Sequence, residues 1–238
     1  MDPQLAPLPM KAHQRVVRER QAVEAADANL FGRWWDTVDT RIEHSVVREV
    51  SMATARKIVE DYEYLGTMPN APIKAYGIFF GAACGGVVVY GAVSPPSVAR
   101  SVIGAPWSAR VIQLARGACV HWAHEHSASR LIGQSLRLIA REGWQVVIAY
   151  ADARAGEIGT VYQASNWLYC GETTVRPEYL DGGGNLITGP IGKVQPWMTH
   201  RPRPRKGRYV YLLGSRTNRA ALRRALRWTP EPYPKRAP

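Results

Sequence analysis

"ASRLIGQSLRLIAREGWQVVIAYADARAGEIGTVYQASNWLYCG", residues 128–171, decides the fold of this chain. Its first sixteen residues place Leu131, Ile132, Leu136 and Ile139 on one helical face and Arg137, Arg141 and Glu142 on the other. That is the pattern of an amphipathic helix, and Gly143 stops it. "WQVVIAYAD" (144–152) is a nearly continuous apolar run, as expected of a strand buried on both faces. It ends on an acid, Asp152. "GTVYQASNWLYCG" then reads as a short helix ending at Gly171. A helix feeding a doubly buried strand that stops on a carboxylate points to a sheet with a site at the strand's carboxyl end.

Working outward, "ARVIQLARGACV" (109–120) is a strand leading into the helix. Before it, "AYGIFFG" (75–81) and "GGVVVYGAV" (85–93) form a hairpin across "AAC". "SMATARKIVEDYEYLG" is a helix capped by Ser51 or Thr54 and stopped by Gly66, and "SVVREV" (45–50) is a short strand. Nearer the start lies a weakly patterned helix, "QRVVRERQAVEAADANLFGRWWDTV", interrupted by Gly32. After residue 171, "ETTVRP" and "RYVYLLG" (208–214) read as late strands and "NRAALRRALRW" (218–228) as a basic helix. The order predicts one α/β (α+β) domain with a mixed central sheet flanked by helices. It divides into a loose helical extension (1–44), a core domain (45–200) and a basic strand–helix appendage (201–238) packed on or next to it.

The chain has 238 residues and is 46% hydrophobic, enough for one core of ordinary size. Its three cysteines, Cys84, Cys119 and Cys170, are far apart, which argues against a disulfide framework or a cysteine zinc site. With no apolar run of membrane-spanning length and no secretory signal pattern, the expected location is the reducing cytoplasm, with no membrane partner. Charge is uneven. Residues 201–238 carry 12 Lys/Arg against Glu231 alone, so +11 of the formal net +12 sits there. Such a field attracts polyanions by releasing their counterions, and Arg201, Arg203, Arg205, Lys206, Arg208, Arg219, Arg223, Arg224 and Arg227 are the expected nucleic-acid contacts. A basic tail that only aids solubility is the bland alternative.

Five groups invite chemistry. Ser127, Ala128 and Ser129 open a helix with small residues and free N–H groups, beside Arg130, which suits an anion; a plain helix cap is the simpler explanation. "HWAHEH" (121–126) offers His121, His124 and Glu125 at metal-ligand spacing, although clustered loop histidines are more often surface groups. Asp152 at the end of a buried strand serves as base, ligand or cap. Tyr162 and Asn166, at i and i+4 on a helix, would point to one place, whereas Trp167 and Tyr169 suit the core. Glu63 and Tyr64 sit at a helix end beside Gly66, where a solvated turn is the ordinary alternative.

Together these pieces resemble a known family. The strand, small-residue loop and helix around 111–140 look like the acyl-CoA-binding core of the GNAT acetyltransferases. "YADARAGEIGTVYQASNWLYCG", "EDYEYLGTMP" and "RKGRYVYLLG…RRALRW…PYPK" are similar, over residues 45–235, to phage Mom-type DNA-modification proteins. That resemblance implies a GNAT-like transferase that modifies the adenine amino group in phage DNA and so protects it from host restriction nucleases. It implies Asp152 and Tyr64 at the reaction centre, Tyr162 and Asn166 lining it, and Arg116 with Ser127–Arg130 facing acetyl-CoA or a related acyl donor. Much of the family has His before the "EYLG" tyrosine, where this chain has Glu63, which would then take over as base or as ligand to iron. The implied partner is double-stranded DNA. The alternatives are a GNAT acyltransferase acting on another amine, in tRNA, protein or an already hypermodified base, and a non-catalytic DNA-binding protein.

Overall fold

Nine strands and seven α-helices are found among the residues that the computed structural model describes, 13–27, 34–185, 187 and 193–235. The strands are β1 (Val46–Glu49), β2 (Pro72–Phe80), β3 (Ala83–Gly91), β4 (Val111–Cys119), β5 (Val146–Asp152), β6 (Leu168–Glu172), β7 (Pro177–Leu180), β8 (Thr199–Pro202) and β9 (Lys206–Leu212). The helices are α1 (His13–Asp27), α2 (Met52–Tyr62), α3 (Pro96–Ile103), α4 (Ala105–Ser108), α5 (Ser127–Arg141), α6 (Thr160–Ala164) and α7 (Arg216–Ala225). Seven strands form one mixed sheet in the order β1-β2-β3-β4-β5-β9-β6, and β7 and β8 pair apart from it. Among the described residues no helix is long and apolar enough to cross a membrane.

Alternation along the strands separates two packed faces. On one, Ile112, Leu114, Val147, Ala149 and Tyr209 meet Leu131, Ile132, Leu136 and Ile139 of α5. The other is covered by α2, through Ala55 and Val59, by α3, through Val102 and Ile103, and by α7, through Leu222. Leu222 is fully buried, an anchor of about 2 kcal/mol for an otherwise polar helix.

Four features differ from the sequence reading. The helix after Asp152 does not run to Gly171: α6 ends at Ala164. Asn166 follows in a left-handed turn (φ 60°), and Leu168–Glu172 is strand β6. Aromatic and β-branching preferences at this point are decided by pairing with β9, a partner that lies far along the chain. The basic C-terminal strand and helix exist as expected but are built in more deeply than an appendage, because β9 lies between β5 and β6 inside the sheet. The segments "ETTVRP" and "AAC" also shift: β7 starts only at Pro177, and Ala83 and Cys84 already belong to β3.

One local irregularity shapes the molecule. β4 and β5 are the sheet's parallel neighbours, yet they pair only over Val111–Gln113 and Val146–Ile148. Beyond that, β4 stays with β3 as far as Cys119, and β5 stays with β9 as far as Asp152. The two strands splay. The β3–β4 register slips at this point, with Leu114 opposite Tyr90 and Arg116 opposite Val89, so Ala115 is an extra residue. A bulge bends its strand, which accounts for the divergence. It also turns Arg116 to the α2 side of the sheet, with Val89.

Candidate active site

The carboxyl ends of β4 and β5 lie at the same end of the sheet, on either side of the splay. Asp152, the last residue of β5, is 3% exposed. A carboxylate so buried needs several donors. Its Oδ2 accepts from the Tyr64 hydroxyl at 2.9 Å and pairs with Lys206 Nζ at 2.7 Å. Its Oδ1 accepts from the Arg154 backbone N–H at 3.0 Å, with the Arg154 guanidinium at 3.6 Å. Lys206 Nζ also lies 3.4 Å from the Tyr64 oxygen. β9 delivers Lys206, because the antiparallel register sets it opposite Asp152. α2 delivers Tyr64: Ser51 caps the helix start on Thr54 N–H, Glu63 ends it, and the turn at Gly66 (φ 58°) swings the chain back.

Glu63 is the second buried carboxylate, 9% exposed. Its Oε2 accepts from Leu65 N–H at 2.8 Å and lies 3.7 Å from Arg116. The two acids titrate in opposite directions. Burial pushes the Glu63 carboxyl up, only partly offset by the Leu65 N–H and the charges of Arg116 and Lys206. Burial also pushes Asp152 up, but the Lys206 hydrogen bond and charge, helped by Arg154 N–H and Tyr64, outweigh it and hold Asp152 below the usual range. Burial and the Asp152 charge push the Tyr64 phenol well above its ordinary value. Asp152 is thus a permanent anion that fixes Tyr64 and Lys206, and Glu63 is the carboxylate able to change protonation state nearer neutrality.

The other expected residues fall elsewhere. Arg116 does not face the start of α5; it donates to Thr67 O at 2.6 Å and sits against Glu63. Tyr162 packs on the α5 face of the sheet, its ring 5.0 Å from those of Trp167 and Tyr209. Burial, with the charges of Glu157 and more weakly Glu63, raises its hydroxyl far above the normal range. Asn166 is exposed and lies past the end of α6, so it does not share a helical face with Tyr162.

Ser127–Arg130 do form the start of α5. Ser127 Oγ and Arg130 Nε are buried without a hydrogen-bond partner among the described residues, and no backbone acceptor is found there for the N–H groups of Ala128 and Ser129. Beside them a groove of about 390 Å³ runs between α5 and the end of α6, lined by His126, Ser129, Arg130, Arg137, Ser165 and Tyr211 among others. Unsatisfied donors, an arginine and a helix N-terminus together suit a phosphorylated donor. Iron fits less well. Among the described residues no three His, Cys, Asp or Glu side chains converge as a metal site. His121 is bonded to Tyr62 and His124 to the His126 backbone, and Asp152 and Glu63 face cations.

The basic residues of the C-terminal segment divide. Lys206 sits with Asp152 and Tyr64. Arg208 stacks its guanidinium 4.6 Å over Trp228, and Arg201 pairs with buried Glu178 at 2.7 Å. Arg205 pairs with Glu172 at 3.6 Å across an exposed surface. Arg203, Arg219, Arg223, Arg224 and Arg227 are exposed. α7 follows β9 from Leu212, which pairs with Val146 at the end of β5 away from Asp152. At the ordinary strand rise the helix therefore starts about 20 Å along the sheet from the two carboxylates. Lys206, Arg154 and Glu178 were not legible as site residues in sequence, since an Arg/Lys run masks the first and only β5–β9 register could have revealed it.

The chain has recognisable relatives. A protein of Escherichia phage Mu described as the methylcarbamoylase Mom is 30% identical over 142 residues, 57% of this chain and 57% of that protein. The chain thus matches a little over half the length of that relative. Solved structures similar to it include an N-acetyltransferase from Staphylococcus aureus, 13% identical, with a TM-score of 0.43 over 71% of this chain and 98% of the other. A spermidine N-acetyltransferase from Vibrio cholerae, solved with CoA and spermine, is 9% identical, with a TM-score of 0.43 over 75% and 99%. Residues 44–235 match the model of the Mom protein family, and the chain belongs to that family.

Proposed function

We propose that this protein transfers a small acyl or carbamoyl group from an acyl donor to the exocyclic amine of adenine in double-stranded DNA, so that the altered base resists host restriction nucleases. The observation that carries the reading is the pair of buried carboxylates, Asp152 and Glu63, held by Tyr64, Lys206 and Arg116 beside a splayed parallel strand pair. The phage Mu relative described as a methylcarbamoylase supports the class of transferred group. The groove at the start of α5 suits the phosphates of acetyl-CoA or a related donor.

In this scheme the adenine is turned out of the helix, because its amine is otherwise out of reach. The amine nitrogen attacks the donor carbonyl carbon, a C–N bond forms, and Glu63 takes the proton that nitrogen loses. The bond between the carbonyl carbon and the leaving group breaks, and the proton held by Glu63 passes to that group as it departs, which restores the carboxylate. Asp152 and Lys206 hold the Tyr64 ring where it can pack on the base. Exposed arginines, among them Arg219, Arg223 and Arg224, hold backbone phosphates without reading sequence.

The test is mass measurement of nucleosides from host DNA after expression. Wild type yields a new adenine nucleoside, and Glu63→Gln yields none while still binding duplex. Acylated tRNA or protein with unmodified DNA would reassign the substrate. Unmodified nucleic acid and protein throughout would leave a non-catalytic DNA binder.

A further inference from the structure

The connection between β6 and β9 is far longer than two adjacent antiparallel strands require. It leaves the sheet at Thr173 and returns at Lys206, where the two chains are tied: Thr173 N–H donates to Lys206 O at 2.9 Å and Lys206 N–H to Thr173 Oγ1 at 3.0 Å. Between them β7 and β8 form their own two-stranded antiparallel ribbon. Lys206 is opposite Asp152, so this arm emerges at the end of the sheet that carries the carboxylates.

A lone two-stranded ribbon is marginal in water and needs an anchor. Glu178, 6% exposed, supplies it, bridging Arg154 at 2.9 Å and Arg201 at 2.7 Å. Arg154 in turn donates its backbone N–H to Asp152. The outer surface is basic: Arg176, Lys193 and Arg203 are exposed, and none of the three has an acidic partner among the described residues. Asp181 is occupied by Asn185 and the Gly183 N–H. The arm also exposes an indole, Trp197, at 56%.

We infer that this arm is the element that engages duplex DNA at the reaction centre, with Arg176, Lys193 and Arg203 on backbone phosphates and Trp197 filling the gap a turned-out base leaves. The inference rests on the DNA reading above and adds the element that performs it. A two-stranded ribbon fits a DNA groove, and large apolar side chains inserted at a base step compensate for lost stacking. The arginines of α7 begin far along the sheet and act as a second, remote contact.

The experiment compares full-length wild type, Trp197→Ala, Arg176→Glu/Arg203→Glu and Arg219→Ala/Arg223→Ala/Arg224→Ala. Each is given plasmid DNA, either paired or heat-denatured, and host-cell extract as the source of the acyl donor, with modified nucleoside as readout, and each is titrated separately with a labelled duplex at two salt concentrations. At saturating DNA, Trp197→Ala should modify paired DNA at least about 10-fold more slowly, and single strands within about 3-fold of wild type, since only the duplex imposes an unstacking cost. Arg176→Glu/Arg203→Glu should weaken duplex binding about 10-fold or more and flatten its salt dependence. The α7 variant should weaken duplex binding while the ratio of its rates on paired and denatured DNA stays that of wild type. Equal loss on both substrates, no loss for Trp197→Ala, or unchanged duplex affinity for the charge-reversal variant would overturn the arm assignment while the DNA reading stands. Wild type that modifies neither form of DNA would remove the reading itself and the arm with it.

Discussion

Lys206→Met tests the reaction centre most directly. Methionine keeps the length and apolar stem of lysine but removes the charge 2.7 Å from Asp152 Oδ2. Asp152 is then a buried anion, 3% exposed, left with the Tyr64 hydroxyl, the Arg154 N–H and a guanidinium at 3.6 Å. Removing one partner of a buried ion pair costs about 3–5 kcal/mol. The three remaining contacts place this site at the low end, about 3 kcal/mol, a large share of the roughly 5–15 kcal/mol by which a domain is stable. The sign with pH follows from the depressed Asp152 pKa. Stabilisation by the ionised carboxylate is present above the ordinary aspartate value and is lost as pH falls through the lower folded value. Without Lys206 that folded value rises, so the variant sheds its buried charge sooner and the gap to wild type narrows toward about pH 4. Asp152→Asn/Lys206→Met removes both charges and should recover at least about 1 kcal/mol relative to Lys206→Met alone. Urea unfolding followed by tryptophan fluorescence at neutral pH and near pH 4 measures all of this. Equal midpoints for wild type and Lys206→Met at neutral pH, or losses that merely add in the double variant, would refute the assignment of Lys206 as the partner that keeps Asp152 ionised.

Glu63 should betray itself through an opposition between activity and stability. Its folded pKa is raised, so its contribution to stability is complete below the ordinary glutamate range and is lost as pH rises through the folded value. Transfer activity should rise over that same interval in a pH–rate profile, and Glu63→Gln should unfold at higher urea than wild type at neutral pH while being inactive. At Gly159, with φ of 77°, an added Cβ would meet the Tyr209 ring. Gly159→Ala should therefore lower stability by about 3 kcal/mol in the same unfolding assay, by straining a left-handed residue and displacing a buried ring at once.

The sequence made the local elements legible and left the long-range pairings hidden. α5 and β5 carry unambiguous periodicity, and Ser51, Gly66 and Gly143 mark helix ends by their own chemistry, so these positions were readable one residue at a time. Asp152 was readable too, because an acid that closes a doubly buried strand requires an explanation. β6 was misread as helix because Leu168–Glu172 become a strand only through pairing with Tyr209 and Val210. Lys206 was assigned to phosphate binding for the same reason: nothing within "RPRPRK" distinguishes the one base that β9 carries to Asp152. The reach of Arg116 depends on a single extra residue at Ala115, a register event with no compositional signature.

The placement of β9 also sets the balance of charge around Glu63. A base for amine acylation needs a proton affinity near the working pH. Histidine has it unassisted, whereas a glutamate acquires it only where burial is stronger than its cationic neighbours. At Glu63 burial prevails over the Leu65 N–H and the charges of Arg116 and Lys206, so its pKa is raised. Lys206 enters from β9 on the Asp152 side and makes its short contact there, while Arg116, turned over by the bulge, stays 3.7 Å from Glu63. A cation as close to Glu63 as Lys206 is to Asp152 would hold both carboxylates ionised and leave neither suited to accept the proton. The two distances, 2.7 and 3.7 Å, thus match the opposite directions in which the two carboxyl groups are shifted.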